Sequence, residues 1–254
     1  MANTAARALW EARTNGTKIP TDFDGCPVGE DEAYKIQSDM ISVAGLDVIG
    51  WKIGATVEAL FAVLGVEQPF LGPLFAKYTH ADGAEVSILP GHSLETEITI
   101  KLKSDLPARP TPYTRAELEN VVAAIHPSFE IVGARFEGAL AGAGYRVIAD
   151  GGVNVGTVVG PAISNWGDYD LGNYPITLSV NGKSVAEGNS SVLLWDHVFD
   201  ALAWCVSQPA LATRGLCAGD IVMTGTCTGI TPISPGDHAV ADFGKMGEVR
   251  ASFV

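Results

Sequence analysis

Two glutamates separated by one residue are the first candidates for chemistry in this 254-residue chain: Glu95 and Glu97, in the segment His92-Ser-Leu-Glu95-Thr-Glu97. Successive side chains of a strand alternate between its two faces, so these carboxylates point the same way. Side by side they repel each other, and the pair becomes favourable when a hard divalent cation such as Mg²⁺ or Mn²⁺ lies between them. A solvated strand face is the alternative interpretation.

A third glutamate lies in an apolar setting. Glu130 is flanked by Phe129 and Ile131, in a run that is typical of a buried strand. A buried carboxylate is costly unless it is paired or bound to a metal. We therefore predict that Glu130 joins Glu95 and Glu97 in a metal site, where three carboxylates leave octahedral positions for water and a bidentate substrate.

A lysine is the candidate acid or base. Lys52 lies in the strand-like segment Gly50-Trp-Lys52-Ile-Gly54. A lysine flanked by glycines could lie where a ligand approaches the backbone closely. If Lys52 is partly buried near a metal, its pKa should fall, which would suit proton transfer. An exposed strand lysine is the alternative.

The elements that must position these residues divide the chain into a helical first part and a mostly β remainder. Apolar periodicity and glycine stops predict helices over 4–14 and 31–44, and Thr56 could cap a third helix that ends near Gly65. A capping box at Thr114-Arg-Ala-Glu117 opens a helix to about Ile125, closed by Pro127, and another helix is predicted over 195–207. Strands are predicted over 47–53, 84–89, 95–103, 128–133, 153–159, 176–180, 184–187, 220–226, 238–243 and 247–253.

Two turn signals and one loop punctuate this pattern. Asn181-Gly182 predicts a type I′ hairpin, and Gln68 to Pro73 predicts a turn into the second part of the chain. The glycines near 138–144 indicate a flexible loop. No long linker is present, so we expect an α+β fold with a helical N-terminal portion (1–70) and a β-rich body (71–254), packed as one unit.

Composition excludes several classes of function. The formal net charge of −13 disfavours nucleic acid and anionic membranes as partners. The N-terminus lacks the hydrophobic centre of a signal peptide, and the four cysteines show no regular spacing, so we expect free thiols in the cytoplasm. The chain has no GxSxG elbow, HExxH motif, Walker A loop or GxGxxG motif, and its five histidines form no metal-type pair.

Six motifs in order resemble a known family. They are Gly50-Trp-Lys52-Ile-Gly54, Glu95-Thr-Glu97, Pro127-Ser-Phe-Glu130-Ile-Val, Ala149-Asp150, Met223-Thr-Gly-Thr226-Cys-Thr-Gly229 and Pro235-Gly-Asp237, with Asp242-Phe-Gly244 following in register. On these residues the chain resembles the 2-oxopent-4-enoate hydratase / 2-oxo-3-enedioate decarboxylase family of the fumarylacetoacetate hydrolase superfamily.

The resemblance implies a mixed β-roll body and a cytoplasmic homo-oligomer. It also implies Mg²⁺ or Mn²⁺ at the three glutamates, where the ion would chelate the 2-oxo group and carboxylate of a small anionic 2-oxo acid. Lys52 would handle protons, Thr226 would hold the substrate carboxylate, and Asp150 would belong to the substrate site. Lys77 could suit an anionic distal group, with an exposed loop lysine as the alternative.

The implied activity is hydration of a 2-hydroxydienoate or 2-oxo-enoate, since a chelated 2-oxo acid forms an enol easily. A 2-oxo-3-enedioate decarboxylase and an acylpyruvate C–C hydrolase would use the same enolate and stay open as alternatives. The chain also departs from the family at Ala76, Lys77, Gly133 and Gly151, where relatives carry acidic or amide residues. These departures motivate a fourth possibility, a catalytically silent binding subunit.

Overall fold

The computed structural model describes residues 4–254. Six α-helices lie in this range: α1 (Thr4–Asn15), α2 (Glu30–Ala44), α3 (Ala59–Leu64), α4 (Arg115–Val121), α5 (Gly144–Ala149) and α6 (Val198–Ser207). The strands are β1 (Val48–Gly54), β2 (Phe70–Phe75), β3 (Thr79–Ala81), β4 (Ala84–Val86), β5 (Ser93–Leu102), β6 (Val122–Val132), β7 (Asn154–Val159), β8 (Pro175–Val180), β9 (Lys183–Asn189), β10 (Ile221–Thr226), β11 (Thr231–Pro232), β12 (His238–Asp242) and β13 (Glu248–Phe253). Within residues 4–254, none of the helices combines the length and the apolar character that crossing a membrane would require.

The strands form two mixed sheets. The larger sheet has the order β2-β1-β10-β5-β6-β7-β3, with β11 added to β5, and it curls into a half-barrel. The smaller sheet has the order β4-β13-β12-β8-β9. Most pairs are antiparallel, and β1 pairs with β10 in parallel. The predicted fold class, an α+β protein with a β-roll body, is confirmed.

Alternation along the central strands separates a polar face from an apolar one. On β5 the side chains of Ile98 and Ile100 are buried in the main core, as are those of Phe129 and Ile131 on β6. This core also takes in the smaller sheet and the apolar face of α6. Because strand side chains alternate, the glutamates of β5 and β6 lie on the opposite face of the sheet.

The N-terminal helices have a core of their own. Leu9 of α1, Ile36 and Met40 of α2 and Ile148 of α5 are buried together in it. Strand β1, however, lies inside the larger sheet between β2 and β10, although it belongs to the first 70 residues. The division at residue 70 therefore stays a prediction, and the residues before Thr4 are outside the described part of the chain.

The predicted turn over Gln68 to Pro73 is wrong, because this segment enters strand β2. Pro73 pairs with Trp51 and Gly72 with Lys52 in an antiparallel ladder. Strand β2 is at one end of the sheet order, and an edge strand tolerates proline because one side of it needs no ladder hydrogen bonds. The Pro/Gly composition therefore marks an edge strand here.

The predicted end of the fourth helix is also wrong. The capping box is present, since Glu117 N–H donates to the Thr114 hydroxyl and the Glu117 side chain accepts from Thr114 N–H. Helix α4 nevertheless ends at Val121, and β6 runs through Pro127, which pairs with Ile98. The β-branched residues that start β6 favour a strand, so proline interrupts a strand rather than closing a helix.

Two shorter predictions had opposite outcomes. Asn181 and Gly182 both have positive φ, 52° and 74°, between β8 and β9, as a type I′ turn requires. Thr56 does not cap α3, since the helix begins at Ala59 without a side-chain cap. The Thr56 side chain is instead buried against Gly225, where an added Cβ would lie 2.1 Å from its hydroxyl oxygen. Helix α5 follows the predicted loop and had no prediction of its own.

Candidate active site and metal centre

The three predicted glutamates meet on one face of the larger sheet. Glu95 and Glu97 point from β5, and Glu130 on β6 is the direct ladder partner of Glu95. All three are buried, and one carboxylate oxygen from each lies within 4.8 Å of the other two. Such a group of oxygen donors could hold a divalent metal ion.

Burial makes this carboxylate group electrostatically unfavourable without a cation. Burial, then the negative charge of Glu130, raises the pKa of Glu95 to about 8, although the Lys52 ammonium opposes the shift. Burial and the two neighbouring glutamates raise the pKa of Glu97 well above its ordinary value. Three carboxylates this close cannot all ionise unless positive charge is supplied between them.

Hydrogen bonds fix two oxygens of the group and leave a fully buried one without a donor. Oε1 of Glu130 accepts from Nδ2 of Asn154 at 2.9 Å, and Oε2 of Glu97 accepts from the Gly225 backbone N–H at 2.7 Å. Oε2 of Glu130 is buried and accepts no hydrogen bond from any described residue. A buried oxygen without a hydrogen bond, beside two further carboxylates, fits a hard divalent cation.

Lys52 reaches the same oxygen from β1. Its Nζ lies 3.3 Å from Oε2 of Glu130, and this ion pair lacks the geometry of a hydrogen bond. Burial by itself lowers the pKa of Lys52, but the negative charges of the three glutamates outweigh burial and raise it. The fall in pKa that we expected concerns a site that holds a metal, and it stays a prediction.

The glycines around Lys52 are required by close packing of the protein itself. A Cβ at Gly50 would lie 2.0 Å from the carbonyl oxygen of Ile221 on the neighbouring strand β10. Gly152 has φ of +67°, and a Cβ there would lie 2.9 Å from Cε of Lys52. We expected a close ligand at the two glycines that flank Lys52. The structure instead shows the Ile221 backbone at Gly50 and the Phe70 ring at Gly54, where an added Cβ would lie 2.2 Å from Cε2 of Phe70.

The three predicted substrate-binding residues differ in their surroundings. Thr226 is the ladder partner of Glu97, and its hydroxyl donates to the Gly229 carbonyl at 3.0 Å. Asp150 is buried, and its two carboxylate oxygens accept from the backbone N–H and Nε of Arg135 at 2.7 and 2.6 Å.

Lys77 lies on the exposed turn after β2, with Nζ 5.4 Å from the centre of the Tyr78 ring. It lines a cleft of about 670 Å³ whose described lining contains none of the three glutamates. The structure thus brings together Lys52, the glutamates and Thr226, while the substrate roles of Asp150 and Lys77 stay predictions.

Two site features were missed from the sequence. Asn154, which holds Glu130, opens the apolar strand β7, and a lone amide at the start of such a strand is a signal that could have found it. The backbone N–H of Gly225 carries no side-chain signal. Its φ of +113° and its contact with Thr56 appear only in the folded chain.

Comparison with known proteins supports the family resemblance along the whole chain. Residues 66–254 match the model of the fumarylacetoacetate (FAA) hydrolase C-terminal family. A 2-keto-4-pentenoate hydratase of Burkholderia vietnamiensis is 31% identical, over 100% of this chain and 97% of the relative. A 4-oxalocrotonate decarboxylase of Pseudomonas putida is 29% identical, over 88% of this chain and 85% of the relative.

A solved structure shares the fold. The 4-oxalocrotonate decarboxylase of Pseudomonas putida G7, complexed with magnesium and adipate, superposes with a TM-score of 0.89 at 24% identity. The superposition covers 100% of this chain and 97% of that one. The family match over most of the chain and the full-length relatives establish that the chain belongs to the fumarylacetoacetate hydrolase family.

Proposed function

We propose that the chain is a divalent-metal-dependent hydro-lyase that adds water to a 2-hydroxydienoate through its 2-oxo-enoate form. The observation that carries the proposal is the convergence of three buried carboxylates with the Lys52 ammonium, 3.3 Å from Glu130. Relatives about as long as this chain are named 2-keto-4-pentenoate hydratase, which supports the reaction class.

We propose that Glu95, Glu97 and Glu130 hold Mg²⁺ or Mn²⁺. When bound, the cation supplies Lewis-acid stabilisation of the negative charge that develops on the 2-oxygen of the substrate. Two solved structures with this fold, one complexed with magnesium and the other with calcium, support the binding of a hard cation. In this chain, Oε2 of Glu130 is buried and accepts no hydrogen bond from a described residue, which suits it to bind such a cation.

We propose that Lys52 moves the protons of the reaction. Conversion of the dienol to the 2-oxo-enoate removes the proton of the 2-hydroxyl and delivers one to the far end of the diene. The Nζ of Lys52 is buried beside the carboxylates. Buried lysine and carboxylate groups exchange protons without competition from bulk water. Water then adds across the remaining double bond, which gives a 4-hydroxy-2-oxo acid.

Thr226 lies where it could orient the carboxylate of the substrate. It is opposite Glu97 on the ladder, and the adjacent Gly225 N–H already donates to Glu97. To donate to a substrate carboxylate, the Thr226 hydroxyl would exchange its present acceptor, the Gly229 carbonyl, for a carboxylate oxygen. Asp150 and Lys77 are the further proposed contacts, and of these Lys77 is the exposed one.

Metal titration and turnover test the proposal together. Calorimetry should show Mg²⁺ or Mn²⁺ binding to the protein and no binding to the double variant Glu95→Gln with Glu97→Gln. The ultraviolet absorbance of 2-hydroxypenta-2,4-dienoate should fall with enzyme and metal, and a chelator should stop the reaction. Unchanged metal binding in the double variant would refute the site, and no turnover would favour a silent binding subunit.

Decarboxylation is the second candidate, favoured by the relatives named 4-oxalocrotonate decarboxylase. It differs in the product, because carbon dioxide leaves a 2-oxo-3-enedioate and no water is added. Carbon dioxide release, measured beside dienoate consumption in one preparation, separates the two activities. We also propose a cytoplasmic homo-oligomer, with four free cysteines in support of the compartment and light scattering as the test of assembly.

A further inference from the structure

A cleft of about 670 Å³ is lined by the end of α1, by the turn after β2 and by β4 with the segment that follows it. Its described lining contains neither Lys52 nor any of the three glutamates, so the cleft is distinct from the candidate metal centre. Three cations line it: Arg13, Lys18 and Lys77. In a chain whose formal net charge is −13, three cations in one cleft reverse the sign of the local charge.

These three cations have no carboxylate partner. Within residues 4–254, none of them forms an ion pair with an acidic side chain. Arg135 also lines the cleft, but its Nε lies 2.6 Å from Oδ1 of Asp150, which compensates its charge. Glu85 is the one carboxylate in the described lining. Three unpaired cations against one carboxylate leave an excess of two positive charges when the histidines are neutral.

Uncharged groups hold the three cations in place. The guanidinium carbon of Arg13 lies 4.3 Å from the centre of the Tyr78 ring, and Nζ of Lys77 lies 5.4 Å from the same centre. Arg13 also donates to two backbone carbonyls, while its buried Nε has no acceptor among the described residues. Nζ of Lys18 donates to the Ala134 carbonyl. Carbonyls and an aromatic ring orient these cations and leave their charge available to a ligand.

The positive charges of the cleft act on one another. Burial and then the charge of Arg135 lower the pKa of Arg13 to about 10. The pKa of His92, which also lines the cleft, is lowered to about 4 by burial and then by three positive charges, those of Arg135, Lys18 and Arg13. The cations therefore share one electropositive environment, which a bound anion would make more favourable.

Part of the cleft wall is apolar. Val86 and Ile88 are buried in it, and Leu89 is exposed to 43%. A volume of about 670 Å³ is of the size that accommodates a small organic molecule. The cleft therefore has room for an apolar body beside a charged group, and the apolar wall would shield such a body from water.

We propose that this cleft binds a small organic dianion, with its charges at the three cations and its apolar body against Val86, Ile88 and Leu89. Phosphate monoesters and dicarboxylates share this chemistry, and guanidinium and ammonium groups bind both. The proposal does not depend on the proposed hydratase activity. Lys77 serves this ligand rather than the substrate, and a competition experiment decides between its two roles.

Calorimetry with phenyl phosphate and phthalate tests the proposal at pH 8, where both probes are dianions. Saturating Mg²⁺ and 2-oxohexanoate occupy the glutamate site during the titrations. At least one probe should bind, and the stronger binder identifies the anion as a phosphate monoester or a dicarboxylate. Benzoate, with one charge, should bind about tenfold more weakly than phthalate, because it loses a charge-assisted contact.

Three results would overturn the proposal: binding of neither probe, equal affinity for benzoate and phthalate, or a probe affinity that falls as the 2-oxohexanoate concentration is raised. The last result would place the probe in the substrate pocket. Absence of hydratase turnover would refute the proposed function alone, since the probes are measured by binding.

Two variants locate the bound anion. Lys18→Gln and Lys77→Gln should each raise the dissociation constant of the stronger probe by about tenfold, because each removes one charge-assisted contact. Lys183→Gln, at an exposed position on β9 in the smaller sheet, removes the same charge and is the matched control. It should leave the dissociation constant unchanged. Unchanged affinity in both Lys18→Gln and Lys77→Gln would overturn the assignment to this cleft.

Discussion

Asn154 donates through Nδ2 to Oε1 of Glu130 at 2.9 Å, and it thereby directs the other oxygen of this carboxylate toward Lys52. The amide is presented by a fixed backbone, because the carbonyl oxygen of Asn154 accepts from the guanidinium groups of both Arg13 and Arg135. Arg13 belongs to helix α1, so the N-terminal helical portion contacts the residue that orients a candidate metal ligand.

Replacing Asn154 with alanine should weaken Mg²⁺ or Mn²⁺ binding by about 10- to 100-fold, the usual effect of removing a residue that orients a metal ligand. Glu130 would lose the hydrogen bond that fixes its rotation, while all three carboxylates remain. Calorimetric titration measures the change. Asn165→Ala is the matched control, since within residues 4–254 the Asn165 side-chain amide donates to the exposed Asp168 carboxylate and to no metal-site residue. Equal affinity in Asn154→Ala and the unmodified protein would contradict the role.

Replacing Lys52 with methionine should separate proton transfer from metal binding. The buried aliphatic stem is retained and the ammonium is lost, so turnover of the dienoate should fall by about 10²- to 10⁴-fold. Metal affinity should be equal or higher, because a positive charge 3.3 Å from Glu130 has been removed. Steady-state rates and calorimetry on the same preparation give both quantities, and Lys35→Met on the exposed face of α2 is the control. A parallel loss of metal binding would indicate a structural role for Lys52.

The ion pair between Arg135 and Asp150 should act chiefly on stability. Nε of Arg135 lies 2.6 Å from Oδ1 of Asp150, and both residues are buried. Removing one partner of a buried pair costs about 3–5 kcal/mol, because the other charge is left uncompensated. Urea unfolding of Asp150→Ala should show a loss of this size in the free energy of unfolding.

Asp39→Ala provides the comparison for Asp150→Ala. Asp39 pairs with Lys35 on the solvent side of α2, and such exposed pairs contribute about 0–1 kcal/mol. If Asp150 also binds substrate, as the family resemblance implies, its replacement should in addition raise KM. A loss of stability no larger than that of Asp39→Ala would contradict the structural role of the pair.

The site was largely predictable because its signals are local. Alternation along one strand is sufficient to put Glu95 and Glu97 on the same strand face. The apolar neighbours of Glu130 indicate that it is buried. Asn154 could not be assigned in this way, since its partner is 24 residues away and the contact depends on how β6 and β7 pair. The hydrogen bond from the Gly225 N–H could not be predicted either, because glycine has no side chain whose type would indicate it.

Two of the errors in the fold come from proline, whose effect depends on tertiary position. Pro73 is tolerated because β2 is an edge strand, and edge position is a property of the whole sheet. Pro127 lies in the long strand β6, where its carbonyl still accepts from Gly160 N–H at 2.8 Å. Proline ends a helix only where a helix precedes it, and the segment before Pro127 is already part of strand β6.

The stability of the protein should fall as the pH decreases from about 6.5 to about 4, partly because of His197. This residue precedes α6, and its Nδ1 accepts from the Phe199 N–H at 3.1 Å, an interaction that requires the neutral ring. Burial and the nearby Arg115 guanidinium lower the pKa of His197 from 6.5 to about 4. Between these pH values His197 is protonated in the unfolded chain and neutral in the folded chain, so a decrease in pH favours unfolding. Above pH 6.5 the contribution of His197 to the free energy of unfolding is constant.

His197→Asn isolates this contribution. Asparagine keeps an acceptor at the helix N-cap but does not titrate, so the variant should lose less stability between pH 7 and pH 5 than the unmodified protein. The free energy of unfolding in urea, measured at both pH values, gives the difference for each protein. His92 remains in both proteins with its own pKa lowered to about 4, and the comparison therefore cancels its effect along with that of the carboxylates. Identical pH dependence of the two proteins would show that His197 does not contribute.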